Sequence, residues 1–279
     1  MKKQLLLWCL VVFSCIENNE NTEDKLTVEG TIALDQFARI NLTNSIPFKG
    51  IIDSLEVIKS IESKAKVELS NGLVTEILTL KKDDTKFPFF FYRSNTIKGE
   101  LNKTYTLSIS IRGKLFKSET YLPEKPNILN LDFTDWSDDG VLVPESKNIN
   151  LTIDNNTFTD RYFKVLIKTE NEKRFNLARP FIFNTENIFT TTFPLSISYI
   201  KFNDDGKKEN LIKIGEVINL KLIAITKAQF DFWKSIEGDV TSPLENSSFT
   251  NAVDSNISNG AFGYWSGEQT AAIKLNVVE

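Results

Sequence analysis

Histidine is absent from this chain, and its only cysteines are Cys9 and Cys15, which removes most of the side chains that catalysis uses near neutral pH. Without imidazole there is no Ser-His-Asp or Cys-His arrangement, no histidine zinc site and no ordinary proton shuttle. Ser–Lys chemistry remains, because Ser198-Tyr199-Ile200-Lys201 has the S-x-x-K spelling and Ser63 stands three residues before Lys66. Both stretches read as extended, and an odd spacing along a strand sends the two side chains to opposite faces. Carboxylate pairs for glycoside hydrolysis stay open, since 37 acidic residues offer many combinations and sequence gives no separations. The P-loop and the G-x-S-x-G elbow are both missing. The expectation is a protein that is not an enzyme.

Two further clusters could bind rather than react. In Asp132–Gly140 (DFTDWSDDG), Asp135, Ser137 and Asp139, followed by Gly140, match the first half of an EF-hand calcium loop. Its closing glutamate is missing: position twelve is Ser146, and Glu145 comes one residue early. These are weak calcium candidates, and the plainer reading is a solvated loop between domains with no metal and no cofactor. Trp136 within it is either half-buried or displayed for a partner, because an indole has an apolar body and a polar edge. Near the C-terminus, Gly260–Gly267 (GAFGYWSG) mixes glycine with large aromatics. The glycines point to positive φ or close backbone approach. The stretch reads as a loop pinned by its own aromatics, or as a docking surface in which Phe262, Tyr264 and Trp265 would face a receptor or a sugar.

Cys15 has a different chemistry. Met1-Lys2-Lys3 is a positive start, Leu5–Phe13 is an apolar run, and Val12-Phe13-Ser14-Cys15 is similar to a lipobox, with Phe13 where a small residue is usual. The run is too short for a permanent transmembrane helix and reads as a signal peptide over residues 1–14. Once it is cut, Cys15 has no partner for a disulfide, which suits a thioether-linked lipid at the new N-terminus. Residues 15–25 then form an acidic tether, with Glu17, Glu20, Glu23 and Asp24 and no apolar periodicity. Several acyl chains together hold firmly where one does not.

The elements that must carry these residues are mostly strands. An apolar fraction of 41% and 21 phenylalanines can build a substantial core. The net charge of −4 becomes −6 when Lys2 and Lys3 leave, and scattered lysines give no nucleic-acid footprint. Tyr105, Leu107, Ile109 and Ile111 alternate with Thr and Ser, the signature of a strand with one buried face. Residues 65–69 and 73–80 flank Asn71-Gly72, a tight-hairpin dipeptide. Strands are also expected at 147–154, 162–169, 195–202 and 217–225, with a turn at Asp204-Asp205-Gly206. Thr226-Lys227-Ala228-Gln229 spells a capping box and opens a helix over 226–237 that presents Phe230, Trp233 and Ile236, with Gly238 placed to end it. Pro123 and Pro126 mark a boundary. The fold class is mainly β: a first β domain over 26–123 and a second antiparallel β domain over 127–279 with one short helix.

The order of these pieces resembles a known family. Leu26–Ile32 (LTVEGTI) soon after the lipid cysteine, Tyr105–Ile109, Ser118, Pro123, Phe230–Trp233 and the closing Ser255–Tyr264 are similar to the domain-of-unknown-function 4249 family of Bacteroidota lipoproteins. The resemblance implies an outer-membrane lipoprotein found alongside TonB-dependent receptors, whose first domain is a prealbumin or carboxypeptidase-regulatory sandwich. The family brings no catalytic residues to carry over. The function expected is therefore a lipid-anchored accessory or binding protein facing the cell exterior. It would partner a TonB-dependent receptor or capture its nutrient, a glycan or a peptide. The alternatives are a structural or adhesive surface lipoprotein and a carboxylate-based glycan hydrolase.

Overall fold

The computed structural model describes residues 25–45, 54–85, 88–155, 159–202, 206–240 and 253–279. Cys15, the signal and tether residues up to Asp24, and Asp204-Asp205 of the expected turn lie outside them. Gly206, at the edge of that turn, has φ +74°.

Alternation of apolar and polar residues produces the first strands, β1 (Leu26–Ala33) and β2 (Phe37–Asn44), whose even-numbered apolar side chains are buried. A short helix, α1 (Ser54–Lys59), leads to β3 (Lys66–Ser70), β4 (Thr75–Ile77) and β5 (Thr79–Lys82). The hairpin at Asn71-Gly72 joins β3 to β4, with Gly72 at φ +85°. The long strands β6 (Phe90–Lys98), β7 (Thr104–Ile111) and β8 (Lys114–Tyr121) follow. In β7, Tyr105, Leu107 and Ile109 are buried, as their spacing predicts.

Beyond Pro123 come β9 (Ile128–Asp138), β10 (Val141–Asp154), β11 (Tyr162–Thr169), β12 (Asn176–Asn184) and β13 (Thr192–Ile197), then the short β14 (Ile200–Phe202) and β15 (Lys208–Asn210). The strand expected over 195–202 is interrupted at Ser198, which exchanges two backbone hydrogen bonds with Arg179. The chain closes with β16 (Val217–Ile225), the helix α2 (Lys227–Val240) and β17 (Phe262–Asn276).

One eight-stranded sheet, in the order β12-β11-β16-β17-β1-β2-β6-β5, organises the molecule. Two smaller sheets pack on one of its faces. Sheet β4-β3-β7-β8 lies over β1, β2 and β6, and together they enclose Val28, Ile40, Leu42, Leu69, Tyr105 and Leu107. Sheet β13-β10-β9 lies over β11 and β16 and encloses Ile149, Leu151, Phe163, Val165, Leu220 and Leu222. The architecture is mainly β in a sandwich-like arrangement. The Pro123–Asn127 stretch joins the last strand of one small sheet to the first of the other. The large sheet runs across that division, because β17 pairs in parallel with β1 and antiparallel with β16, and Ile257, Ala261 and Trp265 complete the first core.

Helix α2 packs on the opposite face of the large sheet, with Phe230 against Tyr162, Ile182, Ile223 and Ile225. It continues through Gly238 to Val240, so that glycine does not end it. A glycine inside a helix costs about 1 kcal/mol, which packing of the aromatic stripe offsets. The capping box is not formed either. Thr226 Oγ1 lies 2.9 Å from Ser266 Oγ, and Gln229 Nε2 donates to Glu268 Oε1 at 2.9 Å. Partners on β17 have displaced the local ones.

Candidate functional site

The expected calcium loop is a hairpin, not a loop between domains. Asp135 and Ser137 lie on β9, and Asp139-Gly140 forms its two-residue turn, with φ +48° and +84°. Both residues being in the left-handed region is what a twist-matched type I′ turn requires, so Asp-Gly was a hairpin signal. Lys147 Nζ donates to Asp135 Oδ1 at 2.7 Å. Among the described residues no group of three or more His, Cys, Asp or Glu could hold a metal ion. Trp136 points the other way and is buried, so it is not a displayed partner residue.

The glycine–aromatic stretch expected as a loop is the start of β17. Trp265 is fully buried and Tyr264 nearly so; both are core residues and neither is a docking surface. Trp265 Nε1 donates to the Tyr105 carbonyl at 2.9 Å, and Asn256 bonds its backbone N–H and C=O, both at 2.9 Å. Tyr264 meets Phe232 edge to face, ring centroids 5.2 Å apart, and burial pushes its phenol well above the usual range. Phe262 alone of the three stays half-exposed, with the Lys25 ammonium 4.7 Å from its ring. The glycines make the close approach expected of them: a Cβ on Gly263, at φ +104°, would sit 1.8 Å from the Val28 carbonyl oxygen.

Of the S-x-x-K residues, Ser198 is half-buried, and Lys201 donates to Glu172, which also accepts from the buried Tyr199 hydroxyl at 2.7 Å. Burial raises Glu172, but these bonds and the Thr169 N–H outweigh it and hold the carboxyl below its usual range. This cluster clamps the turn after β11.

A concavity of about 870 Å³ occurs elsewhere, beside α2 on the same face of the large sheet, where the helix leaves it uncovered. Alternation on β2 places Phe37 and Arg39 on that face, and alternation on β6 adds Phe91 and Arg93. Arg39 and Arg93 are directly opposed partners in the ladder. Each guanidinium crosses to the other strand's phenylalanine: Arg39 lies 3.4 Å over Phe91, and Arg93 lies 4.5 Å over Phe37. Such stacks contribute about 0.5–2 kcal/mol. Burial pushes the Arg39 guanidinium below its usual pKa and Asp83 opposes that shift; arginine still keeps its charge.

Lys98, Lys164 and Lys221 bring the lining to five cations against the carboxylates of Asp35, Asp83 and Glu268. Glu268 is already engaged, accepting on Oε1 from Lys164 at 3.0 Å and from Gln229 at 2.9 Å. The groove is thus electropositive on a protein of net charge −4. It was missed at the sequence level, although Phe37-Ala38-Arg39 and Phe91-Tyr92-Arg93 each place an aromatic and an arginine two apart, on one strand face.

The family model titled Domain of unknown function (DUF4249) matches residues 15–272. No curated protein matches the chain.

Proposed function

The chain belongs to the DUF4249 family, and we propose that it is a non-enzymatic binding protein, anchored to the outer membrane through a lipid on Cys15. On this reading the arginine–phenylalanine groove holds a carboxylate-bearing ligand, for the protein itself or for a TonB-dependent receptor beside it. The observation that carries the reading is the direct opposition of Arg39 and Arg93 across β2 and β6. Like charges facing each other across a ladder are unfavourable, and an anion seated between two guanidinium forks turns that repulsion into paired, charge-assisted hydrogen bonds. Lys98 and Lys221 line the same hollow and extend the positive field. The phenylalanines under the guanidiniums hold them flat and aimed.

The test is calorimetric titration of the chain with tetragalacturonate and with tetraglutamate, each against its neutral counterpart. The acidic ligands are expected to bind and the neutral ones not. Arg39→Gln or Arg93→Gln is expected to weaken binding about 10–100-fold, the worth of one hydrogen bond to a charged group. Equal binding of neutral and acidic ligands, or variants that bind like the parent, would overturn the groove assignment. The receptor partnership is tested separately: pull-down from solubilised outer membrane should recover a TonB-dependent receptor at stoichiometric level, and its absence removes that part.

A further inference from the structure

The neighbours of β17 change along its length. β1 pairs with it from Phe262 to Glu268 and stops at Ala33, whereas β16 pairs with it on the other side from Glu268 to Asn276. Successive residues of a strand send their backbone N–H and C=O groups to opposite sides. In β17 the odd-numbered residues spend theirs on the β16 side. Just past the strand, the Val277 N–H donates to the Glu216 carbonyl, and the Val277 carbonyl accepts from the Gly215 N–H. Trp265, where β16 is not yet alongside, gives both groups to the Asn256 side chain. β16 agrees: its Val217 carbonyl accepts from the Glu170 N–H on the far side, which leaves Ile218, Leu220 and Leu222 to bond β17. The N–H and C=O groups of Thr270, Ala272 and Lys274 therefore point to the side that β1 has left, where no strand pairs with them among the described residues.

Sheet edges are ordinarily guarded by charge, proline or shortness. The outermost strands follow that rule: β5 carries Lys81 and Lys82, β12 has Pro180, β13 has Pro194, and β4 is three residues long. Gln269–Ile273 (QTAAI) has neither charge nor proline, and Ala272 is exposed. Lys274, which ends this run, is paired with Glu170 at 2.7 Å.

Two hollows flank the free edge, one on each face of the sheet. Thr270 lines the arginine–phenylalanine groove. Ala271 and Ile273 line a second hollow of about 700 Å³, together with Ile128, Leu129 and Leu131. On the groove side five cations face Asp35, Asp83 and Glu268, and Glu268 is paired with Lys164; the second hollow is lined by one charged residue, Lys125, among the described residues. A strand laid along the edge would alternate its side chains between the two, one set meeting cations and the other a mostly apolar wall.

We infer that the free edge of β17 takes an extended acidic peptide as an added strand, with carboxylates in the groove and apolar side chains in the second hollow. The inference rests on the groove reading above and narrows its ligand, because unpaired backbone groups are matched by another backbone, which a sugar acid lacks.

The experiment titrates the chain calorimetrically with the blocked pentapeptide Glu-Val-Glu-Val-Glu and with Glu-Glu-Val-Val-Glu, which has the same composition without the alternation. The alternating peptide is expected to bind more tightly. N-methylation at both valines, or at the middle and last glutamates, removes alternate sets of N–H donors. One of these peptides should bind about tenfold more weakly or worse, having lost two hydrogen bonds, and the other like the parent. On the protein, Ala272→Pro blocks the edge at a residue whose N–H takes no part in the β16 ladder, so an unchanged unfolding midpoint is expected with loss of peptide binding. Tetragalacturonate should bind this variant as it binds the parent. Peptide binding that ignores both N-methyl sets, or that survives Ala272→Pro, overturns the strand addition and leaves the groove standing. Failure of every acidic ligand to bind the parent removes the groove reading and this inference with it.

Discussion

Replacing Trp265 by alanine removes the side chain that ties β17 to the first core. The indole is fully buried, and truncating a buried tryptophan costs about 3–5 kcal/mol in transfer and cavity terms. The Nε1 hydrogen bond to the Tyr105 carbonyl adds about 1 kcal/mol. The expected loss of about 4–6 kcal/mol is a large part of the 5–15 kcal/mol that ordinarily separates folded from unfolded. Denaturant unfolding followed by fluorescence measures it, because Trp136 and Trp233 remain as reporters. A Cβ on Gly30 would fall 2.8 Å from the indole Cε3, an overlap that a flat ring locked by its neighbours cannot escape, so Gly30→Ala should cost about 1–3 kcal/mol. In the double variant the ring that causes the clash is gone. The double variant's loss should therefore fall short of the sum of the two single losses by about 1 kcal/mol or more. A loss under about 2 kcal/mol for Trp265→Ala, or strict additivity with Gly30→Ala, would refute the placement of this residue as the joint between the sheets.

Other outcomes follow from the same geometry. Gly263→Ala should cost about 3–4 kcal/mol, from positive φ together with a Cβ 1.8 Å from the Val28 carbonyl oxygen, whereas Gly72→Ala, at φ +85° in open space, should cost about 1 kcal/mol; paired thermal or urea midpoints decide it. Burial raises Glu76, but bonds from the Thr96 hydroxyl and the backbone N–H groups of Ile97, Thr96 and Asn95 outweigh it and leave the carboxyl below its ordinary value of 4.5. Glu172 is lowered likewise. A carboxyl depressed in the folded state stabilises fully above its unfolded pKa, so stability should hold above about pH 4.5 and fall as pH drops through the lower folded values. Glu76→Gln with Glu172→Gln should lower neutral-pH stability and flatten that acid limb in a pH series of urea midpoints. Glu268→Ala strips the acceptor from Lys164 and Gln229, and a loss of about 2–3 kcal/mol is expected in the same assay.

The alternation in Tyr105–Ile111, the Asn71-Gly72 hairpin and the aromatic stripe at Phe230 and Trp233 were legible in the chain itself. Each depends on residues near one another in sequence, where backbone periodicity and turn conformation decide the outcome. The lack of histidine also spoke for itself, since no fold can supply an imidazole. Tertiary structure alone decided the fate of Gly260–Gly267. Tyr264 and Trp265 read as a loop or a docking surface until β17 is laid parallel to β1, a partner more than 230 residues earlier; burial there comes from a distant strand. Thr226 and Gln229 carry the right side chains for a cap and spend them on Ser266 and Glu268 for the same reason. The groove is the fullest case. Its arginines come from β2 and β6 and its lysines from β6, β11 and β16, so neither the charge nor the hollow exists until the eight-stranded sheet brings six strands to one face.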